Sequence, residues 1–139
     1  MKNIWILTEE RPKANVIKTI LEKFALDNGF KIESKEELRV IPILKNNCFT
    51  FIYKVESVVC NNFDSVFIKI ASGNSSFVDF LIFFQDIEPT ETSKPLYAIE
   101  ETKTDDSESR NTGIYQRCSK FVYVEFYYPG VKKIMLYNL

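Results

Sequence analysis

The chain of 139 residues contains no histidine. That absence excludes every mechanism built on imidazole within this chain, among them serine or cysteine nucleophiles activated by histidine, histidine-liganded zinc and histidine-based nucleases. Cysteine is scarce as well. Cys48, Cys60 and Cys118 are odd in number, widely spaced and form no CxxC pair, the pattern of a reduced, cytoplasmic chain. No apolar run approaches the roughly 18 residues of a membrane span, and no N-terminal stretch has the apolar core of a signal peptide. The expectation is a soluble, untargeted protein with no membrane partner. Nor is there an excess of positive charge: the net charge is −1 and the pI about 5.6, so no overall basic field draws the chain toward a polyanion.

What remains is carboxylate, lysine and tyrosine chemistry on a well-packed scaffold. The apolar fraction is 45%, with 12 Phe and 7 Tyr, a composition of strand formers rather than of a disordered chain. The length suits a single domain over residues 1–139. Ile4–Leu7 reads as a short buried strand. Pro12, favoured in a first helical turn, is followed by Val16, Ile17, Ile20, Leu21, Phe24 and Ala25 at helical spacing, ending near Asn28-Gly29. Lys31–Arg39 is a polar connector. Val40–Leu44 carries Pro42 and suits an edge strand; Cys48–Val58 and Ser65–Ala71 form a hairpin. Gln85–Lys94 is a surface loop. A helix is expected from Glu108 to Lys120, capped by the preceding serines and aspartates and weakened by Gly113. Phe121–Tyr128 and Val131–Tyr137, joined by Pro129-Gly130, are expected as a final pair of strands. The order predicts an α/β (α+β) fold, a mixed β-sheet flanked by helices.

The informative stretch runs from Ser76 to Lys103. Asp79 interrupts the apolar run Phe77–Phe84, and the next apolar strand, from Leu96, ends in Glu100-Glu101-Thr102-Lys103. Glu101 and Lys103 are two residues apart, on one face of a pleated strand and roughly 7 Å apart. Hydrolysis of a phosphodiester requires an activated water, a neutralised phosphate and a stabilised leaving oxygen, and one or two Mg²⁺ ions supply all three. Magnesium takes hard oxygen ligands, which Asp79, Glu101 and the carbonyl of Thr102 could provide, with Lys103 as a point charge beside them. A change of facing by one residue would bring Glu100 and Thr102 to the site instead. Glu10, or less readily Glu9, could add a ligand from the first helix start; the bland role is a carboxylate stabilising a helix N-terminus.

Glu-x-Lys is a cheap pattern. Glu33-Ser34-Lys35 matches it, and Glu9-Glu10-Arg11, Glu37-Leu38-Arg39 and Glu108-Ser109-Arg110 match it with arginine, all in polar stretches. The pattern at Glu101 differs in closing an apolar strand that follows another bearing a lone Asp. In this it resembles the PD-(D/E)xK nuclease superfamily, which includes many type II restriction endonucleases and Holliday-junction resolvases. The order of elements around it is similar to the core of that family. The motif proline is Val78 here. A Gln-x-x-x-Tyr found in some members is met by Gln116 but not by Lys120.

The resemblance implies a restriction-endonuclease-like core and a Mg²⁺-dependent endodeoxyribonuclease (Mn²⁺ substituting), leaving 5′-phosphates. Asp79 and Glu101 would be its metal ligands and Lys103 the water-activating or phosphate-contacting group. It implies a DNA partner, with Arg110, Arg117 and Lys120 candidates for backbone contacts; their bland role is a solvated helix face. Two cuts need two sites, so a homodimer or a partner subunit or domain is expected. The rival is a nuclease-like module that binds DNA or protein without cutting, or a domain in which these charges merely pair. Gly113-Ile114-Tyr115 spells the first half of the GIY-YIG signature, but no Tyr-Ile-Gly follows. Lys132 and Lys133 read as edge-strand protection, and Cys118 as a packing residue.

Overall fold

A computed structural model describes residues 2–33, 37–71, 78–90, 92–103 and 125–138; of 102, 103, 137 and 138 the main chain alone is described. Strand β1 (Asn3–Thr8) is followed by helix α1 (Ala14–Asn28), β2 (Arg39–Lys45), β3 (Cys48–Glu56), β4 (Val66–Ile70), β5 (Phe80–Gln85), β6 (Tyr97–Lys103) and β7 (Lys132–Asn138). The seven strands form one mixed sheet in the order β2-β3-β4-β1-β5-β6-β7, an α+β arrangement. No helix among the described residues is long and apolar enough to cross a membrane.

The central strand β1 pairs in parallel with β4, Ile4 opposite Val66 and Thr8 opposite Ile70, and antiparallel with β5, Thr8 opposite Phe80. β5 is antiparallel to β6, and β6 is parallel to β7. With β3 antiparallel to both β2 and β4, five strands share one direction and only β3 and β5 oppose it. The carboxyl ends of β1, β4, β6 and β7 and the amino end of β5 therefore meet at one end of the sheet.

Helix α1 forms because its apolar residues recur on one stripe, burying Ile17, Ile20, Leu21, Phe24 and Ala25. That stripe packs on Ile4, Ile6, Ile68, Ile82 and Ile99 of the sheet, and Phe24 meets Phe84 and Tyr97 edge to face at 5.4 and 5.8 Å. Lys13 is the cap residue without a side-chain cap, so Pro12 stands outside the first turn rather than in it. Gly29 ends the helix at φ 70°, and its N–H returns to the Ala25 carbonyl, a conformation glycine adopts without the Cβ penalty. The opposite face of the sheet carries a second cluster of Trp5, Val78, Leu81, Phe83, Ala98 and Val131.

β2 is an edge strand, as Pro42 suggested, with its register shifted between Pro42 and Leu44. Asn46 and Asn47, at φ 54° and 62°, make the two-residue turn between β2 and β3. Three readings differ from the structure. Asp79 lies one residue before β5, not inside it. Glu125–Tyr127 are helical rather than strand. Among the described residues β7 pairs not in a terminal hairpin but in parallel with β6, from Tyr97 opposite Lys132 to Lys103 opposite Asn138. A parallel pair cannot be closed by a tight turn. The expected helix at 108–120 and Cys118 lie outside the described residues.

Lys132, on β7 at the end of the strand order among the described residues, binds Asp27 of α1 at 2.7 Å. That hydrogen bond, with the charge of Lys132, holds the Asp27 carboxyl below its ordinary value and lifts the lysine above its own. For the aspartate, a folded pKa below the unfolded one means that the contribution is present above about pH 4 and lost as pH falls. For the lysine, it is present below about pH 10 and lost as pH rises through the folded value. The expected outcome is that Lys132→Met lowers stability at neutral pH and that the deficit shrinks as pH falls below about 4, read by urea denaturation across pH. Truncating the core is costlier: Phe24→Ala is expected to remove roughly 3–5 kcal/mol, read as a lower urea midpoint with an unchanged slope.

Candidate functional site

The end of the sheet where the parallel strands finish is the place where open α/β sheets hold ligands, and the informative residues gather there. The register of β5 and β6 runs from Ile82 opposite Tyr97 to Phe80 opposite Ile99, then stops. One step further would set Asp79 opposite Glu100. The chain bends at Asp79 instead, and two side chains replace the missing ladder bonds. The Asp79 N–H donates to Glu100 Oε2 at 2.9 Å, and the Glu101 N–H donates to Asp79 Oδ2 at 2.8 Å. Each carboxylate thus satisfies a main-chain donor across the strand pair, a charge-assisted arrangement stronger than a neutral hydrogen bond.

The pleat decides which glutamate joins Asp79. Opposed residues share a face, so Glu100 lies with Ala98 and Leu81 on the face of Trp5. Glu101 lies with Ile99 and Tyr97 on the face of α1. Glu100 is 3% exposed, a carboxylate buried beside an apolar cluster, and such groups persist only when hydrogen bonded or paired. Glu101 is half-exposed and presents its main chain, not its side chain, to Asp79. The structure therefore brings Asp79 together with Glu100 and with the backbone of Glu101. Nothing in the sequence of β6 decides this. Tyr97, Ala98 and Ile99 are all buried, and a strand buried on both faces shows no alternation from which to read its facing.

The other sequence-derived candidates are distributed as follows. The main chains of Thr102 and Lys103 continue β6 alongside Tyr137 and Asn138 of β7. Glu9 and Glu10 are exposed and leave the sheet just after Thr8, the register partner of Phe80, hence at the same end as Asp79. The Glu10 carbonyl accepts the Thr8 hydroxyl at 3.0 Å. Arg110, Gln116, Arg117 and Lys120 lie outside the described residues.

Asp79 and Glu100 are hard oxygen donors, the ligand type that Mg²⁺ and Mn²⁺ require. One oxygen of each is engaged by an N–H, and Asp79 Oδ1 accepts no hydrogen bond among the described residues. Those residues contain no group of three or more acidic or cysteine side chains able to hold a metal ion. Two carboxylates of the type that magnesium prefers thus stand together, fewer than the three side chains of a closed ion site. Cys48 and Cys60 are free thiols and stand on other strands and loops.

Compared with protein-family models, with curated proteins and with solved structures, the chain matches none.

The exchange of N–H donors makes Asp79 structural whatever else it does. Asp79→Ala is expected to cost about 1–2 kcal/mol, because the Glu101 N–H loses its acceptor. Asp79→Asn keeps an oxygen in place and is expected to cost less; equilibrium urea unfolding separates the two.

Proposed function

We propose that this protein is a divalent-metal-dependent endodeoxyribonuclease with a restriction-endonuclease-like core, a restriction enzyme or its catalytic domain or subunit. The observation that carries this reading is the Asp79–Glu100 pair, two carboxylates interlocked where antiparallel pairing between β5 and β6 gives out. The order of strands agrees with the resemblance in outline, with an aspartate at one strand, a glutamate on its antiparallel neighbour and a further strand parallel to the second. The Glu-x-Lys spacing itself belongs to Glu101, since Glu100 stands three residues before Lys103.

In this reading Asp79 and Glu100 would be the residues that hold Mg²⁺ or Mn²⁺. When bound, the ion supplies charge neutralisation at a DNA phosphate and a water of lowered pKa. Asp79 is held by the Glu101 N–H and Glu100 by the Asp79 N–H, so neither carboxylate must be ordered when substrate arrives. Glu101 contributes its backbone. Lys103 enters only from its place in the sequence, as a cation near the strand end; its register position goes with that of Glu101, two residues before it, and not with that of Glu100. Cleavage of both strands calls for two copies of the site, and so for a homodimer or a partner subunit.

A second reading is favoured by the same contacts. Each carboxylate is satisfied by a main-chain donor, which is also how a strand end is tied down in a non-catalytic DNA- or protein-binding module. Plasmid cleavage with Mg²⁺ or Mn²⁺ distinguishes them. The expected outcome is metal-dependent nicking or linearisation, reduced on the order of 10²-fold or more by Asp79→Asn, Glu100→Gln and Lys103→Ala, with Glu101→Gln within a few-fold of wild type. Inert wild type that also shows no Asp79-dependent Mn²⁺ binding by calorimetry would leave the binding module standing. Loss of activity in Glu101→Gln but not in Glu100→Gln would return the ligand role to Glu101.

A further inference from the structure

The β2–β3 hairpin is longer than the sheet that supports it. β3 pairs with β4 from Val55 opposite Val66 to Ile52 opposite Lys69, whereas β2 and β3 continue together to Leu44 opposite Phe49 and Lys45 opposite Cys48. Because β3 opposes β4, this overhang projects beyond the carboxyl end of β4, the end that also carries Asp79 and Glu100. Strands β4 and β1 lie between β3 and β5, so three strand spacings, roughly 14 Å, separate the base of the overhang from the carboxylate pair.

The overhang exposes what a soluble surface ordinarily hides. Leu44 is 62%, Phe49 43% and Phe51 58% exposed. The Phe49 ring lies 4.8 Å from that of Phe51 and 5.5 Å from that of Tyr53, and the Arg11 guanidinium stands 5.4 Å over Tyr53. Phe51 is held at φ +60°, a conformation that a bulky side chain rarely takes and that concentrates at functional positions. Lys45 stands at the tip and Lys54 follows Tyr53, and from Val40 to Val55 there is no acidic residue; Glu56 faces Arg39 at the other end of the hairpin.

We propose that the overhanging hairpin is a nucleic-acid arm, on which Phe49 and Phe51 stack against unpaired bases while Lys45 at the tip contacts the backbone phosphate. Exposed aromatic rings beside lysines are the means by which sheets and hairpins hold single strands. The positive charge favours a polyanion over a second copy of this chain, whose own lysines would be opposed. The inference deepens the nuclease reading and rests on it for its choice of substrate: it assigns to that site a strand with unpaired or splayed bases, delivered from the hairpin side.

The test is binding measured without cleavage, by fluorescence anisotropy in EDTA. The probes are a labelled single-stranded DNA of about twelve nucleotides, within the range one such surface covers, and the same sequence as a blunt duplex. Wild type is expected to prefer the single strand. Phe51→Gly removes a ring while suiting the backbone, so the fold should keep or raise its melting temperature while affinity falls about fivefold or more. Lys45→Gln is expected to flatten the dependence of log affinity on log salt by about 0.7, one phosphate of a single strand. Affinities of both variants within twofold of wild type would overturn the proposal. So would a wild-type dimer in sedimentation that Phe51→Gly converts to monomer with DNA affinity unchanged, which would make the patch a self-association surface. Asp79→Asn, measured beside them, separates the two claims: an inert plasmid assay with hairpin-dependent binding intact counts against cleavage alone, whereas metal-dependent cleavage with hairpin variants of wild-type affinity counts against the arm alone.

Discussion

Strand β1 sets the direction of everything around it. By pairing in parallel with β4 and antiparallel with β5, it aligns five of the seven strands and sends their carboxyl ends to one side of the molecule. Its Ile4 and Ile6 are fully buried under α1, and Trp5 is buried on the other face, so neither face of the strand can slip without exposing a core. A parallel neighbour also obliges the chain to cross over, which is why α1 and the β2–β3 hairpin intervene between β1 and β4. The gathering of Asp79, Glu100, Glu10 and the hairpin tip at one end follows from that arrangement of directions.

At that end, the proposed chemistry would draw on the same atoms that hold the strands together. The bend at Asp79 ends the β5–β6 ladder early, and the N–H groups it would have paired are taken by carboxylates. A hydroxyl or amide could have satisfied them at lower electrostatic cost. Two acids at a strand end, one of them buried, is a costly way to close a sheet, and the cost is offset if a cation is drawn to the pair.

Much of the scaffold was legible from side-chain period alone. The stripe from Val16 to Ala25 located α1, Asn28-Gly29 its end, and Pro42 the edge strand, because each depends on local sterics. What depended on partners was not. β6, buried on both sides, shows no alternation from which to read its facing. The sequence pointed to Glu101, with Lys103 two residues on, where the register with β5 sets the Glu100 side chain against Asp79. β7 read as half of a hairpin because Pro129-Gly130 is turn chemistry, yet a preceding helical turn, Glu125–Tyr127, occupies the position expected for its mate. Glu125 binds Lys133 and accepts from the Gly130 N–H, so the turn belongs to the entry into a parallel strand. The overhanging hairpin went unread because Phe49 and Phe51 are ordinary strand residues in sequence; their exposure follows from where the β3–β4 pairing stops among the described residues.

The lone tryptophan has a consequence of another kind. Trp5 stacks on Phe67 with ring centroids 4.6 Å apart, and its indole N–H finds no partner among the described residues. A dry indole emits at short wavelength and shifts to the red when water reaches it. The central strand therefore carries its own optical reporter, one that sits on the face shared with Glu100 and on the other from α1. Changes in its emission register opening of that face of the sheet.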